Sequence, residues 1–288
     1  MGAFDQCGGG PVITSAELHR TAEEEGLRFD QVEKDYVLLW ILRGLSLQNL
    51  PTRGWVFKGG TCLRHCYYTG YRFSEDLDFT CNPDLGGLEA AQEILNQTAS
   101  WIQESSGIRL RTKESRTIPG DFQVEIPLEY SRGGMRTRGL PAVKIHLTFD
   151  EPVLTKAVTS VVTPRYSDLG GFTIAAYSKT EIVAEKMRAL LQQQQKWPRP
   201  RDLYDLWFMV CRLKEKFEAG ELVEIFNKKC QVRKIEPDLS GLTSDNLKEW
   251  NTDAWENQMK PLMKSVPDFE QVWREWVSCC RSLFEETT

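Results

Sequence analysis

The chain has 288 residues, 41% of them hydrophobic, which is enough to bury one large core or two moderate ones and excludes a disordered chain. Its 41 acidic residues against 36 Lys and Arg leave a formal net charge of −5, which excludes a protein that coats nucleic acid through its overall field but leaves room for a local basic groove. The longest apolar run, residues 36–42, stops at Arg43, far short of the roughly 18 to 20 residues of a membrane span; residues 1–10 lack the pattern of a secretory signal, so no membrane partner and a cytoplasmic location are expected.

In chain order, a helix is predicted over 14–25, capped by Thr14 or Ser15 and ended by Gly26. A second, over 30–47, carries Val32, Tyr36, Leu39 and Trp40 at helical spacing and should be largely buried. Trp55-Val56-Phe57 reads as a short strand stopped by Gly59-Gly60, and 61–68 as a helix starting on that turn. A strand is expected over 73–79, a long amphipathic helix over 88–104, and strands over 108–111, 122–129 and 142–149. Strand signals fade from Ser178, and helices are predicted over 179–194, 201–218, 247–264 and 269–284. The expected class is α+β: a mixed-sheet core with N-terminal helices in residues 1–170, and a helical domain in 171–288 that completes the active-site cleft. The eight cysteines are scattered, so reduced thiols are expected; Cys62, His65 and Cys66 lack the second Cys/His pair of a zinc site.

Chemistry enters at Lys58-Gly59-Gly60-Thr61. Glycines between a strand and a helix let backbone N–H groups approach an anion, and the helix dipole favours phosphate there. Lys58 adds charge, and Thr61 either caps the helix or offers its hydroxyl to a phosphate oxygen; a purely structural turn is the alternative. Downstream, Arg72-Phe73-Ser74-Glu75-Asp76-Leu77-Asp78-Phe79 places Ser74, Asp76 and Asp78 on one strand face, with same-face neighbours roughly 6.6 Å apart. Two such carboxylates beside an anion-favouring turn suit a hard cation, Mg²⁺ or Mn²⁺, bridging them to a nucleotide's phosphates. The competing reading is a solvated strand face.

This order of residues resembles the AbiEii/AbiGii toxin family, a MenT-like branch of the DNA polymerase β-like nucleotidyltransferases. Glu33-Lys34-Asp35-Tyr36 upstream, and Lys186 with Arg201-Asp202-Leu203-Tyr204-Asp205-Leu206 downstream, are similar to further family motifs, so the resemblance spans roughly residues 30 to 210. It implies a polymerase β-like core and transfer of a nucleotidyl group from a nucleoside triphosphate to RNA, tRNA 3′ ends being one class of acceptor. It also implies a cognate antitoxin. Asp76 and Asp78 would be catalytic metal ligands, Lys186 a triphosphate contact, and Asp202 and Asp205 further catalytic residues; Lys58, Gly59, Gly60, Thr61, Arg72 and Ser74 would form the nucleotide site. Ser74 falls where some relatives carry a modifiable serine. The third carboxylate usual on a neighbouring strand is replaced by His146, as a metal ligand or a packed ring, with Glu125 or Asp150 as substitutes.

Between Arg109 and Lys144 the local charge reverses, with Arg109, Arg111, Lys113, Arg116, Arg132, Arg136, Arg138 and Lys144 against Glu114, Asp121, Glu125 and Glu129. Arg132, Arg136 and Arg138, on a glycine-containing loop, are the expected RNA contacts. Two alternatives from other classes stay open: a weakly active or inactive binding module on the same fold, and a phosphotransferase acting on protein.

Overall fold

The computed structural model describes residues 13–118, 123–133, 139–193 and 197–285. Arg136 and Arg138 lie outside them. The chain divides into two compact units: the first runs to Val153 and resumes over Ala157–Ala176, and the second takes Leu154–Lys156 and everything from Tyr177.

In the first unit, Thr14 accepts a hydrogen bond from the Glu17 N–H and starts α1 (Ser15–Glu25), which Gly26 ends in a left-handed conformation, φ 65°. α2 (Phe29–Ser46) is apolar on most sides, and it is buried accordingly, packed on α1, on the sheet and on α4 (Gly87–Ser106). Gly44 is where α2 and α4 meet: a Cβ there would lie 2.8 Å from Cγ2 of Thr98.

Among the described residues the sheet has eight strands: β1 (Trp55–Lys58), β2 (Asp76–Cys81), β3 (Arg109–Thr112), β4 (Arg116–Ile118), β5 (Gln123–Ser131), β6 (Ala142–Thr148), β7 (Val158–Val162) and β8 (Phe172–Ala176). Their order is β3-β5-β6-β2-β1-β8-β7, with β4 also on β5. β1/β8 and β2/β6 are parallel and the other pairs antiparallel, so the sheet is mixed. Alternation divides its faces. Leu77, Phe79, Ile126, Leu128, Val143, Ile145 and Leu147 are buried on one face, while Asp76, Asp78, Glu125, Glu129, Lys144 and His146 share the other.

β4, β7 and β8 have no counterpart in the predicted elements. β8 is an apolar five-residue run with little alternation, as suits a parallel strand beside β1, and such a run cannot be told from a piece of helix by period. The acid-bearing strand starts at Asp76 rather than Phe73, so Ser74 precedes the strand instead of sharing its face.

The second unit is helical: α5 (Lys179–Gln193), α6 (Pro200–Leu206), α7 (Ala219–Val232), α8 (Asp245–Met259) and α9 (Phe269–Glu285). The helix expected over 201–218 stops at Leu206, passes into a wide π-type turn over Trp207–Arg212, and is followed by α7, which was not foreseen. Buried Lys229 on α7 pairs with Glu181 at 2.9 Å, and Glu181 also accepts from the Leu154 and Thr155 N–H groups, fixing that short segment to the helical unit. No helix among the described residues is long and apolar enough to cross a membrane.

Candidate active site

β1 ends at Lys58, the chain turns through Gly59 at φ 81°, and α3 (Gly59–Cys62) begins, continuing as a wide turn over Leu63–Tyr67. Glycine is required at 59 twice over: its φ disfavours any side chain, and a Cβ would lie 2.3 Å from Oδ2 of Asp78. At Gly60 a Cβ would lie 2.8 Å from Arg72 Nη2 and 3.0 Å from Ser74 Oγ. The turn therefore sits directly against Asp78, Arg72 and Ser74, three of the residues singled out downstream of it.

Thr61 neither caps α3 nor reaches outward. It is fully buried, and its hydroxyl donates to the Asp76 carbonyl at 2.5 Å and lies 2.9 Å from Ser74 Oγ. The residue fastens the glycine turn to the start of β2, so its role is to position Asp76. Lys58 is likewise internal: its ammonium is 3.2 Å from Glu151 Oε2, both side chains being almost wholly buried. Its partner there is a buried acid. Glu151 follows Asp150 in sequence with nothing to mark it as the partner. Arg72 is 5% exposed, its guanidinium over the Tyr71 ring and donating to the Phe73 carbonyl.

Asp76 and Asp78 share the polar face of β2. Asp76 has no side-chain hydrogen-bond or ion-pair partner among the described residues. Burial, and then the charge of Asp78, hold its carboxyl above the usual range, against the opposing pull of His146 and Lys34. A partly buried, unpaired acid beside a second acid suits a cation. Among the described residues no three His, Cys, Asp or Glu side chains are grouped to hold a metal, so Cys62, His65 and Cys66 form no such site. A pair of carboxylates completed by phosphate and water oxygens is the arrangement that Mg²⁺ favours, rather than an all-protein cage.

His146 lies between two acids. Its Nδ1 is 3.0 Å from Asp78 Oδ1 and its Nε2 is 3.5 Å from Glu125 Oε2. Burial lowers its pKa, but the hydrogen bond and charge of Asp78, with Asp76 and Glu125, outweigh that and raise it to about 9. In this protonated state the ring bridges the two acids. Glu125 is also held by Lys144 at 3.0 Å, and Asp150 is exposed beyond the end of β6.

The motif Glu33-Lys34-Asp35-Tyr36 braces this frame. Lys34 pairs with Glu75 at 2.9 Å; Asp35 accepts from Tyr166 at 2.8 Å and pairs with Arg64 and His65; Tyr36 donates to Asp168 at 2.6 Å. Glu33 faces Arg132, whose guanidinium also donates to the Ile13 carbonyl and lies over the Tyr36 ring. Arg132, read from sequence as an RNA contact, is thus drawn into the unit by these partners.

In the helical unit, Lys186 lies 2.7 Å from Asp202 Oδ1 and 2.6 Å from Asp205 Oδ2, with Arg199 3.1 Å from Asp202 Oδ2. Burial opposes ionisation of Asp202, but Lys186 and Arg199 hold its carboxyl well below the usual range. Asp202 stands in the first turn of α6, and Asp205 is buried on Lys186.

The family model described as the AbiEii nucleotidyl transferase toxin of type IV toxin–antitoxin systems matches residues 40–275. Among solved structures, MenT4, a nucleotidyltransferase toxin from Mycobacterium tuberculosis H37Rv, is similar with a TM-score of 0.62 at 18% identity, over 93% of this chain and 89% of that one. JHP933 from Helicobacter pylori is similar with a TM-score of 0.56 at 20% identity, over 90% of this chain and 94% of that one. At these identities the likeness is one of fold. A search of curated proteins finds no match.

Proposed function

This chain belongs to the AbiEii nucleotidyl transferase toxin family of type IV toxin–antitoxin systems, and from that membership we propose that it transfers a nucleotidyl group from a nucleoside triphosphate to an RNA hydroxyl, with a tRNA 3′ end as one candidate acceptor. The observation that carries the proposal is the Asp76 carboxylate, unpartnered among the described residues, beside Asp78, which lies against the glycine turn.

Asp76 and Asp78 would hold Mg²⁺ or Mn²⁺. When bound, that ion neutralises phosphate charge and favours ionisation of the acceptor hydroxyl. The protein's own contribution is positioning. Thr61 fixes the backbone at Asp76, Gly59 leaves room for the Asp78 carboxylate, and His146 orients that carboxylate by hydrogen bonding to one of its oxygens. Lys58, at the N-terminus of α3, makes no side-chain cap hydrogen bond, and the glycine turn is the proposed approach for a phosphate oxygen. Lys186, oriented by Asp202 and Asp205, is the proposed triphosphate contact. In-line attack of the acceptor oxygen on the α-phosphorus forms the new phosphodiester and releases pyrophosphate. A cognate antitoxin is the expected protein partner.

The test is incubation of the protein with each α-labelled triphosphate, Mg²⁺ and total RNA. Label on RNA, at its 3′ end, is expected. Label on protein alone, or nowhere, overturns the proposed acceptor.

A further inference from the structure

The polar face of the sheet continues past the acid pair. Cross-strand partners project to the same side, and the register runs Lys58 (β1), Asp78 (β2), His146 (β6), Glu125 (β5), Arg116 (β4) in one row. A second row carries Asp76, Lys144 and Pro127, and a third carries Ala142, Glu129 and Arg111. Arg109, two residues before Arg111 on β3, and Lys113, two after it, share that side, the latter because its N–H continues the ladder to the Pro127 carbonyl.

Outward from Asp76 and Asp78 the described residues of the face therefore include Lys144, Arg111, Lys113, Arg109 and Arg116 against Glu125 and Glu129. Both acids are already engaged. Glu125 is held by Lys144, and Glu129 is shared by Arg111 at 2.5 Å and Lys113 at 3.4 Å. Arg109 and Arg116 are exposed and have no partner among the described residues. A chain of net charge −5 with an excess of cations on one sheet face, running into its acid pair, is complementary to a polyanion there.

We propose that the polar face of β6, β5, β3 and β4 is the track along which the RNA acceptor lies, its backbone on Lys144, Arg111, Lys113, Arg109 and Arg116 and its 3′ end at Asp76 and Asp78. This rests on the nucleotidyl-transfer reading above and adds where the acceptor binds. From β2 to β4 are three strand spacings, about 14 Å, a span of a few nucleotides. The acceptor is thus read as a single-stranded end of about that length, held by charge rather than by base contacts.

The experiment is a salt titration of binding of a fluorescent single-stranded RNA twelve-mer with a free 3′ hydroxyl to wild type, Arg109→Ala/Arg116→Ala and Arg109→Lys/Arg116→Lys. Neither arginine has a partner among the described residues to lose, so the folded protein is kept. Removal of two phosphate contacts makes the slope of log affinity against log salt shallower by about 1.4, and the lysine pair restores it. An unchanged slope in the alanine pair overturns the track. The two readings fail separately: binding that depends on these arginines without transfer of label by wild type supports the track and overturns transfer to RNA, whereas transfer to RNA that ignores them overturns the track alone.

Discussion

Asp78 Oδ1 lies 3.0 Å from His146 Nδ1, across adjacent parallel strands whose register sets the two residues side by side. The pair replaces the acid–acid juxtaposition of a third carboxylate with an acid–imidazolium contact. One oxygen of Asp78 is thereby fixed.

That contact makes a pH dependence. The folded pKa of His146, about 9, lies above its ordinary value of 6.5, so the stabilisation is complete below about pH 6.5 and is lost as pH rises through about 9. It amounts to about 3 kcal/mol. Urea unfolding in EDTA at about pH 6 and about pH 10 is expected to show a larger loss for wild type than for His146→Gln. Equal losses would remove the ion pair.

Asp76→Asn separates folding from chemistry. Burial and Asp78 both disfavour the charged carboxylate in the folded protein, so the variant should melt no lower than wild type in metal-free buffer. Nucleotidyl transfer should fall about a thousandfold, the equivalent of several kcal/mol of lost charge stabilisation. Near-wild-type turnover, measured with labelled triphosphate, would end its assignment as a ligand.

Lys58 and Glu151 form a buried pair, and breaking one side strands the other. Lys58→Met is expected to cost about 3 to 5 kcal/mol, and Lys58→Met/Glu151→Met to recover much of it, because both charges are then gone. A double-mutant cycle by chemical denaturation gives the coupling. Additive losses would mean that the pair is not coupled.

Arg132→Ala addresses the residue that changed role. Its ties to Glu33, Ile13 and the Tyr36 ring predict a loss of about 1 to 3 kcal/mol in stability with no change in the salt slope of RNA binding. A shallower slope with unchanged melting would return Arg132 to the RNA surface.

The glycine turn, the two aspartates and most of the helices, α7 excepted, could be read from the chain alone. Each is a local pattern: a φ only glycine adopts easily, a period of two, a period near 3.6. The strands β4, β7 and β8 were not legible, since three to five residues at a sheet's edges or between its strands carry too little period to recognise. Nor was the role of Thr61, because a buried threonine and a phosphate-binding one follow a glycine turn equally well.

The sequence by itself determined which residue types stand at the site and in what order, and through them the family. Tertiary structure decided their partners. Whether Lys58 meets a phosphate or Glu151, whether His146 ligates a metal or bridges Asp78 and Glu125, and which cations share a face with Asp76 depend on strand register and burial. Those are set by packing between segments far apart in the chain. A charge in sequence is a residue type; its protonation and its partner are properties of the place to which the fold brings it.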